Sequence, residues 1–216
     1  YMERFIMQDL IAWKNRKDRK PLILLGARQV GKTYILKEFG QREFENVAYI
    51  NCDNNAMAKD LFASDYNIDR ILLTIGAITG VNIEAGKTLI IMDEIQELHR
   101  GLASLKYFCE NAREYHVAVA GSLLGLALHQ GESYPVGKVN TLEMYPMTFE
   151  EFLWARGFKQ RMDLLQHGMW DVVKSLRTLY IQHLREYYLV GGMPEAVNKF
   201  IGTNDANAVR EVQEEI

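Results

Sequence analysis

Gly26-Ala27-Arg28-Gln29-Val30-Gly31-Lys32-Thr33 is the stretch from which the whole chain can be read. It satisfies G-x-x-x-x-G-K-[ST] at every fixed position. The apolar run Leu22–Leu25 precedes it, introduced by Pro21, and Lys32–Phe39 follows with helical periodicity. A continuous apolar run of this kind suits a strand buried on both faces. Glycines at 26 and 31 let the backbone turn tightly, so that successive N–H groups face one phosphate. The helix that starts there adds the positive end of its dipole. Lys32 is expected to reach the β- and γ-phosphates of ATP, and the Thr33 hydroxyl to ligate Mg²⁺. The expected nucleotide contacts are Gly26, Ala27, Arg28, Gln29, Val30, Gly31, Lys32, Thr33 and Tyr34.

Downstream, Leu89-Ile90-Ile91-Met92-Asp93-Glu94 supplies the second signal. An apolar strand ending in a carboxylate delivers that acid to the cleft at the C-terminal edge of a parallel sheet. Asp93 is expected to hold magnesium, mostly through water. Glu94 is expected to orient and deprotonate the water that attacks the γ-phosphate. Val47–Cys52 reads as an extra strand separating the loop strand from a neighbour, His116–Gly121, which ends at Ser122. The Ser122 hydroxyl has two readings: a sensor of the γ-phosphate or attacking water, and a cap on the turn after the strand.

Residues 3–13, 56–63, 68–78 and 101–114 read as helices, and Val139–Met144 as the last strand. After Pro146 the character changes. Phe149–Ala155, Val172–Tyr188 and Pro194–Phe200 read as helices, with no convincing strand. Strand–helix alternation followed by helices alone predicts an α/β P-loop NTPase core over residues 1–146, a parallel sheet flanked by helices. A small helical lid is expected over residues 147–216. Val209, Val212 and Ile216 keep a helical spacing to the last residue, so the chain is expected to be a fragment of a longer protein. Gly191-Gly192 before Pro194 reads as a helix break and restart, since proline suits a first helical turn. A hinge is the second reading.

Among the 216 residues, 48% are hydrophobic and 25% charged, ordinary values for a globular protein with a sizeable core. The net charge of −3 gives no reason to expect nonspecific attraction to nucleic acid or membrane. The basic run Lys14–Lys20 reads as a solvated helix end, with a nucleic-acid or acidic-partner contact as the alternative. Cys52 and Cys109 lie far apart, each in an apolar setting, and read as buried reduced thiols suited to the cytoplasm. No apolar stretch approaches the ~18 residues that cross a bilayer. His99, His116, His129, His167 and His183 show no mutual ligand spacing. Asn198-Lys199-Phe200-Ile201 lacks the aspartate of a guanine-reading N-K-x-D, so GTP specificity is unsupported.

With these residues in hand, the chain resembles the bacterial and archaeal AAA-type ATPases that carry an additional C-terminal domain. The resemblance rests on Arg28–Thr33, Asp93-Glu94-Ile95-Gln96, Ala120-Gly121-Ser122, Leu142 and Tyr145-Pro146-Met147-Thr148-Phe149. Glu151-Phe152 and Gly191-Gly192-Met193-Pro194-Glu195 extend it over most of the chain. It implies an AAA-like fold, ATP with magnesium, and a region beyond Ile216 resembling a nuclease or a winged helix. No particular substrate is implied. Similar proteins tend to carry arginine after the glycine that precedes the last strand, whereas this chain has Gly137-Lys138. No arginine occurs from Glu114 through Ala155, the region that in this class often supplies a finger to a neighbouring subunit. Such a finger is worth ~10³–10⁵ in rate, and lysine lacks its bidentate fork. Slow hydrolysis by the isolated domain is the expectation.

Three functions share these residues. One is an ATP hydrolase that drives or gates an attached effector, working alone or as a homo-oligomer. Another is a slowly hydrolysing nucleotide switch, and the third a small-molecule kinase. The adjacent Asp93-Glu94 pair favours water over a substrate hydroxyl as the acceptor.

Overall fold

The computed structural model describes residues 2–128 and 134–216. It divides into two compact units: Ile6–Met144, and Tyr145–Ile216 joined by the few residues before Ile6. The first unit is built on a five-stranded parallel sheet. Its strands are β1 (Leu22–Gly26), β2 (Asn46–Asn51), β3 (Thr88–Asp93), β4 (His116–Gly121) and β5 (Asn140–Met144). The helices are α1 (Ile6–Lys14), α2 (Lys32–Glu43), α3 (Ile68–Thr79), α4 (Gly101–Asn111) and the short α5 (Leu123–Leu128).

Alternation along the strands sorts their side chains into two cores. Leu22, Leu24, Leu89, Ile91, Ala118 and Ala120 face one way, against Leu10 and Trp13 of α1 and Ile35, Leu36 and Phe39 of α2. Ile23, Leu25, Ile90, Met92, Val117 and Val119 face the other, against Ile71 and Ile75 of α3 and Leu105 and Phe108 of α4. Strands β1, β3 and β4 are therefore buried at every position, while β2 and β5 carry half-exposed residues. This is why the three central strands read as unbroken apolar runs.

The sheet order is β2-β3-β4-β1-β5. The expected separation of the loop strand from His116–Gly121 does not occur. β4 pairs directly with β1, and it is β4 that lies between the loop strand and the Asp93 strand. Val47–Cys52 contributes β2 at the sheet edge, paired with β3 alone. Residues 56–63, expected to be helical, form a series of turns closed by short-range bonds such as Leu61 N–H to the Ala58 carbonyl. Their apolar residues Ala58, Leu61 and Phe62 are nevertheless buried in the core beneath α3.

The second unit is helical: α6 (Phe149–Ala155), α7 (Lys159–Gln166), α8 (Trp170–Ser175), α9 (Arg177–Val190), α10 (Pro194–Thr203) and α11 (Ala206–Glu215). Thr148 opens α6 with a capping box, its hydroxyl accepting from Glu151 N–H while the Glu151 carboxylate accepts from Thr148 N–H. The other Glu151 oxygen accepts from Arg4 Nε at 2.8 Å and from Phe5 N–H at 3.0 Å, all within the interior of this unit. Expected helix 172–188 is interrupted at Leu176, dividing it between α8 and α9. Gly192 packs against the Met147 backbone, where a Cβ would stand 2.4 Å from the Met147 carbonyl oxygen. Met147 N–H also donates to the Gly192 carbonyl, so Gly192 is a close-packed joint before Pro194 starts α10.

Candidate nucleotide site

Parallel strands all deliver their C-terminal ends to one edge of the sheet, and that edge gathers the polar residues. β1 ends in Gly26, β3 in Asp93, and β4 leads to Ser122. Pairing of Leu25 with Gly121 sets the loop after β1 beside the turn at Ser122. Helix α2 leaves the loop at Gly31, whose φ of 102° is a left-handed conformation that favours glycine. Close packing constrains the other end of the motif, because a Cβ on Gly26 would lie 2.5 Å from the Met144 carbonyl oxygen of β5. No side chain caps α2, so the first-turn N–H groups are left for a ligand that sits over the loop.

Lys32 is buried, and its ammonium donates to the carbonyls of Gly26 at 2.9 Å and Ala27 at 2.6 Å. Burial pushes this group below the usual lysine range, opposed by the charges of Glu94 and Asp93 and reinforced by Arg28. Phosphate oxygens in the loop would supply the negative charge that this desolvated cation lacks. Around it, Ala27, Arg28, Gln29 and Tyr34 are exposed and Val30 is buried as a support for the turn. Thr33, in the first turn of α2, donates its hydroxyl to Asp93 Oδ2. The same oxygen accepts from the Tyr49 hydroxyl of β2 at 3.0 Å, and Asp93 Oδ1 accepts from Glu94 N–H at 3.0 Å. Hydroxyl and carboxylate meeting in this way form a hard-oxygen pair of the sort magnesium selects. The donor set and the glycine cradle fit Mg²⁺ with a nucleotide phosphate.

Glu94 adopts the left-handed backbone conformation, with φ 53°, and starts a 3₁₀ turn over Ile95–Glu97. Asp93 thus closes β3, while Glu94 opens the turn that follows it. The Glu94 carboxylate accepts from the side-chain amide of Gln96. Ser122 is buried, and its oxygen accepts from Gly125 N–H at 2.9 Å, which makes it a cap for α5. Lys138 pairs with Glu110 of the same chain at 3.1 Å, both groups partly exposed.

Tyr49 and Gln96 are site residues that the motifs alone did not mark. Tyr49 sits two residues before the end of β2, on a strand whose order in the sheet the sequence leaves open. Its hydroxyl is held well above the usual phenol range, by burial first and by Asp93 second. Cys52, which follows β2, is pushed up to about 12 by burial first and then by Asp93 and Glu94, so it is a buried thiol. Cys109 is likewise free and buried. Of the histidines, His129 lies outside the described residues. No three His, Cys, Asp or Glu side chains among the described residues converge as a separate metal centre. None of the described helices is long and apolar enough to cross a membrane.

Fold and site together define an AAA-type P-loop nucleotide-binding domain. The chain belongs to the AAA domain family, whose profile matches residues 18–153. An uncharacterized protein of Methanocaldococcus jannaschii is 28% identical over 205 residues, covering 83% of this chain. The match takes in 39% of that relative's length, so this chain spans about two-fifths of it. Among solved structures, the Aeropyrum pernix Orc1 protein in complex with DNA is similar at 14% identity and a TM-score of 0.48. That similarity covers 97% of this chain and 63% of the other. A Thermotoga maritima RuvB is similar at 19% identity and a TM-score of 0.45, over 76% of this chain and 52% of that one.

Proposed function

We propose that this domain binds ATP with Mg²⁺ at Gly26–Thr33 and hydrolyses the nucleotide, with Glu94 as general base, to drive or gate an effector attached to the same polypeptide. The observation that carries this reading is the convergence of Thr33 and Tyr49 on one oxygen of Asp93, with Glu94 next in sequence and Lys32 tucked under the loop. Thr33 and Asp93 would hold magnesium, which would supply charge neutralisation at the phosphates. Lys32 turns from the loop carbonyls to the β- and γ-phosphates, and Ser122, on the turn beside the loop, donates its hydroxyl proton toward the γ-phosphate or the water. A protein with two buried free thiols suits a reducing cytoplasm.

Slow turnover by a switch-like domain is supported by one feature. Lys138, two residues before the last strand, is a point charge already engaged by Glu110. A second copy of the chain, bringing Lys138 to its neighbour's site, is the assembly this reading implies. Glu94→Gln tests the central claim. Calorimetry should show ATP–Mg²⁺ bound as in wild type, while turnover falls ~10²-fold or more. Wild-type turnover in this variant would remove Glu94 from the chemistry.

A further inference from the structure

We infer that Gln96 is a positioning residue for the candidate base, holding the Glu94 carboxylate in its working orientation; this rests on the reading of Glu94 given above. Gln96 is 8% exposed, and its Nε2 donates to Glu94 Oε2. Its other amide atom, Oε1, is fully buried with no hydrogen-bond partner. A buried carbonyl without a donor costs ~1–3 kcal/mol, so the conformation persists only because something else requires it. Rotating the amide would bring Oε1 against the Glu94 carboxylate, oxygen to oxygen, which fixes the assignment of N and O.

Packing around Gln96 explains what holds it. Its amide lies against the end of β4, where a Cβ on Gly121 would stand 2.9 Å from Oε1. A Cβ on Gly125 would stand 3.0 Å from Nε2 and 2.7 Å from Ser122 Oγ. The two glycines thus leave the space that the amide fills, and Gln96 and the Ser122 turn share that space. Bond and packing together hold one oxygen of Glu94, a residue that remains partly exposed. Neither Asp93 nor Lys32 restrains that carboxylate with a hydrogen bond among the described residues. Orientation matters to a proton acceptor because a displacement of about 1 Å costs up to ~10²-fold in rate.

The test is Gln96→Met, which keeps length and burial and removes the donor, compared with Glu94→Gln and the double variant in steady-state and single-turnover assays. The expected result is kcat lower by about 10- to 100-fold, with the ATP dissociation constant within about twofold of wild type. In the Glu94→Gln background the same substitution should add no further loss, because the residue acts through Glu94. A structural effect would multiply in both backgrounds. Wild-type turnover in Gln96→Met, or a full repeat of its loss beside Glu94→Gln, overturns the inference. Should Gln96→Met fail to bind ATP, Gly121→Ala carries the test by pushing Oε1 aside. Unchanged kcat there also overturns it. If Glu94→Gln alone retains wild-type turnover, it is the role of Glu94 that fails instead.

Discussion

Lys32→Ala is the perturbation whose size the structure helps to set. The ammonium makes two donor bonds to loop carbonyls, 2.9 Å to Gly26 and 2.6 Å to Ala27, before any phosphate arrives. Binding therefore exchanges these bonds for bonds to phosphate oxygens. Charge-assisted hydrogen bonds contribute about 1.5–3 kcal/mol each. Two new bonds to phosphate would reach twice that range, but the two carbonyl bonds given up offset about half of it. The net loss in Lys32→Ala is then about 1.5–3 kcal/mol, roughly a 10- to 150-fold weaker dissociation constant for ATP–Mg²⁺. Titration calorimetry near neutral pH measures it directly. Thermal melts without nucleotide control for folding, since the variant also gives up the two carbonyl bonds of the empty loop. A dissociation constant within threefold of wild type would refute the exchange argument and the phosphate-binding role with it.

Other outcomes follow from separate features. His116 lies between Trp13 and Phe44, and burial first and Arg19 second push it down to about 4 from an ordinary 6.5. The unfolded chain then binds the extra proton between those values, so stability rises with pH across the window and falls by about 3 kcal/mol towards pH 4. The wild-type urea midpoint should fall towards acid pH relative to that of His116→Phe, and parallel curves would show that His116 does not titrate in this way. Gly192→Ala should lower stability by about 2–3 kcal/mol because the new methyl meets the Met147 carbonyl; an unchanged urea midpoint would mean that the joint can open. Lys138→Arg should raise turnover, and Lys138→Ala lower it, only at concentrations where copies associate. Equal rates for both at every concentration would leave Lys138 as the exposed partner of Glu110.

What the sequence made legible depended on how local the determining physics was. The loop, the Asp93-Glu94 pair and the three central strands follow from short-range patterns: fixed glycines, and apolar runs buried on both faces. Strand order is a long-range property, and placing Val47–Cys52 next to the loop strand failed for that reason. Residues 56–63 carry apolar spacing that suits a helix, yet Asn51, Asn55 and their neighbours satisfy the backbone through side-chain turns instead. α7 escaped notice because Met162 is its sole buried residue, giving little periodicity to read. Gln96 was visible as a letter in Asp93-Glu94-Ile95-Gln96, but its role needs the left-handed turn at Glu94, which no spacing reveals.

Arg4 and Glu151 have a consequence for how the gene can be cut. The helical unit is not one uninterrupted stretch of polypeptide, since its interior ion pair draws one member from the fourth residue and the other from α6. An N-terminal boundary set at Ile6 would look harmless, since it falls at the start of the first helix. It would strand the Glu151 carboxylate without its cation, a loss of ~3–5 kcal/mol for a buried pair. A C-terminal half expressed from Tyr145 would inherit the same fault. Dissection of this protein into halves therefore requires the short leading segment to be grafted onto the helical half rather than left with the sheet.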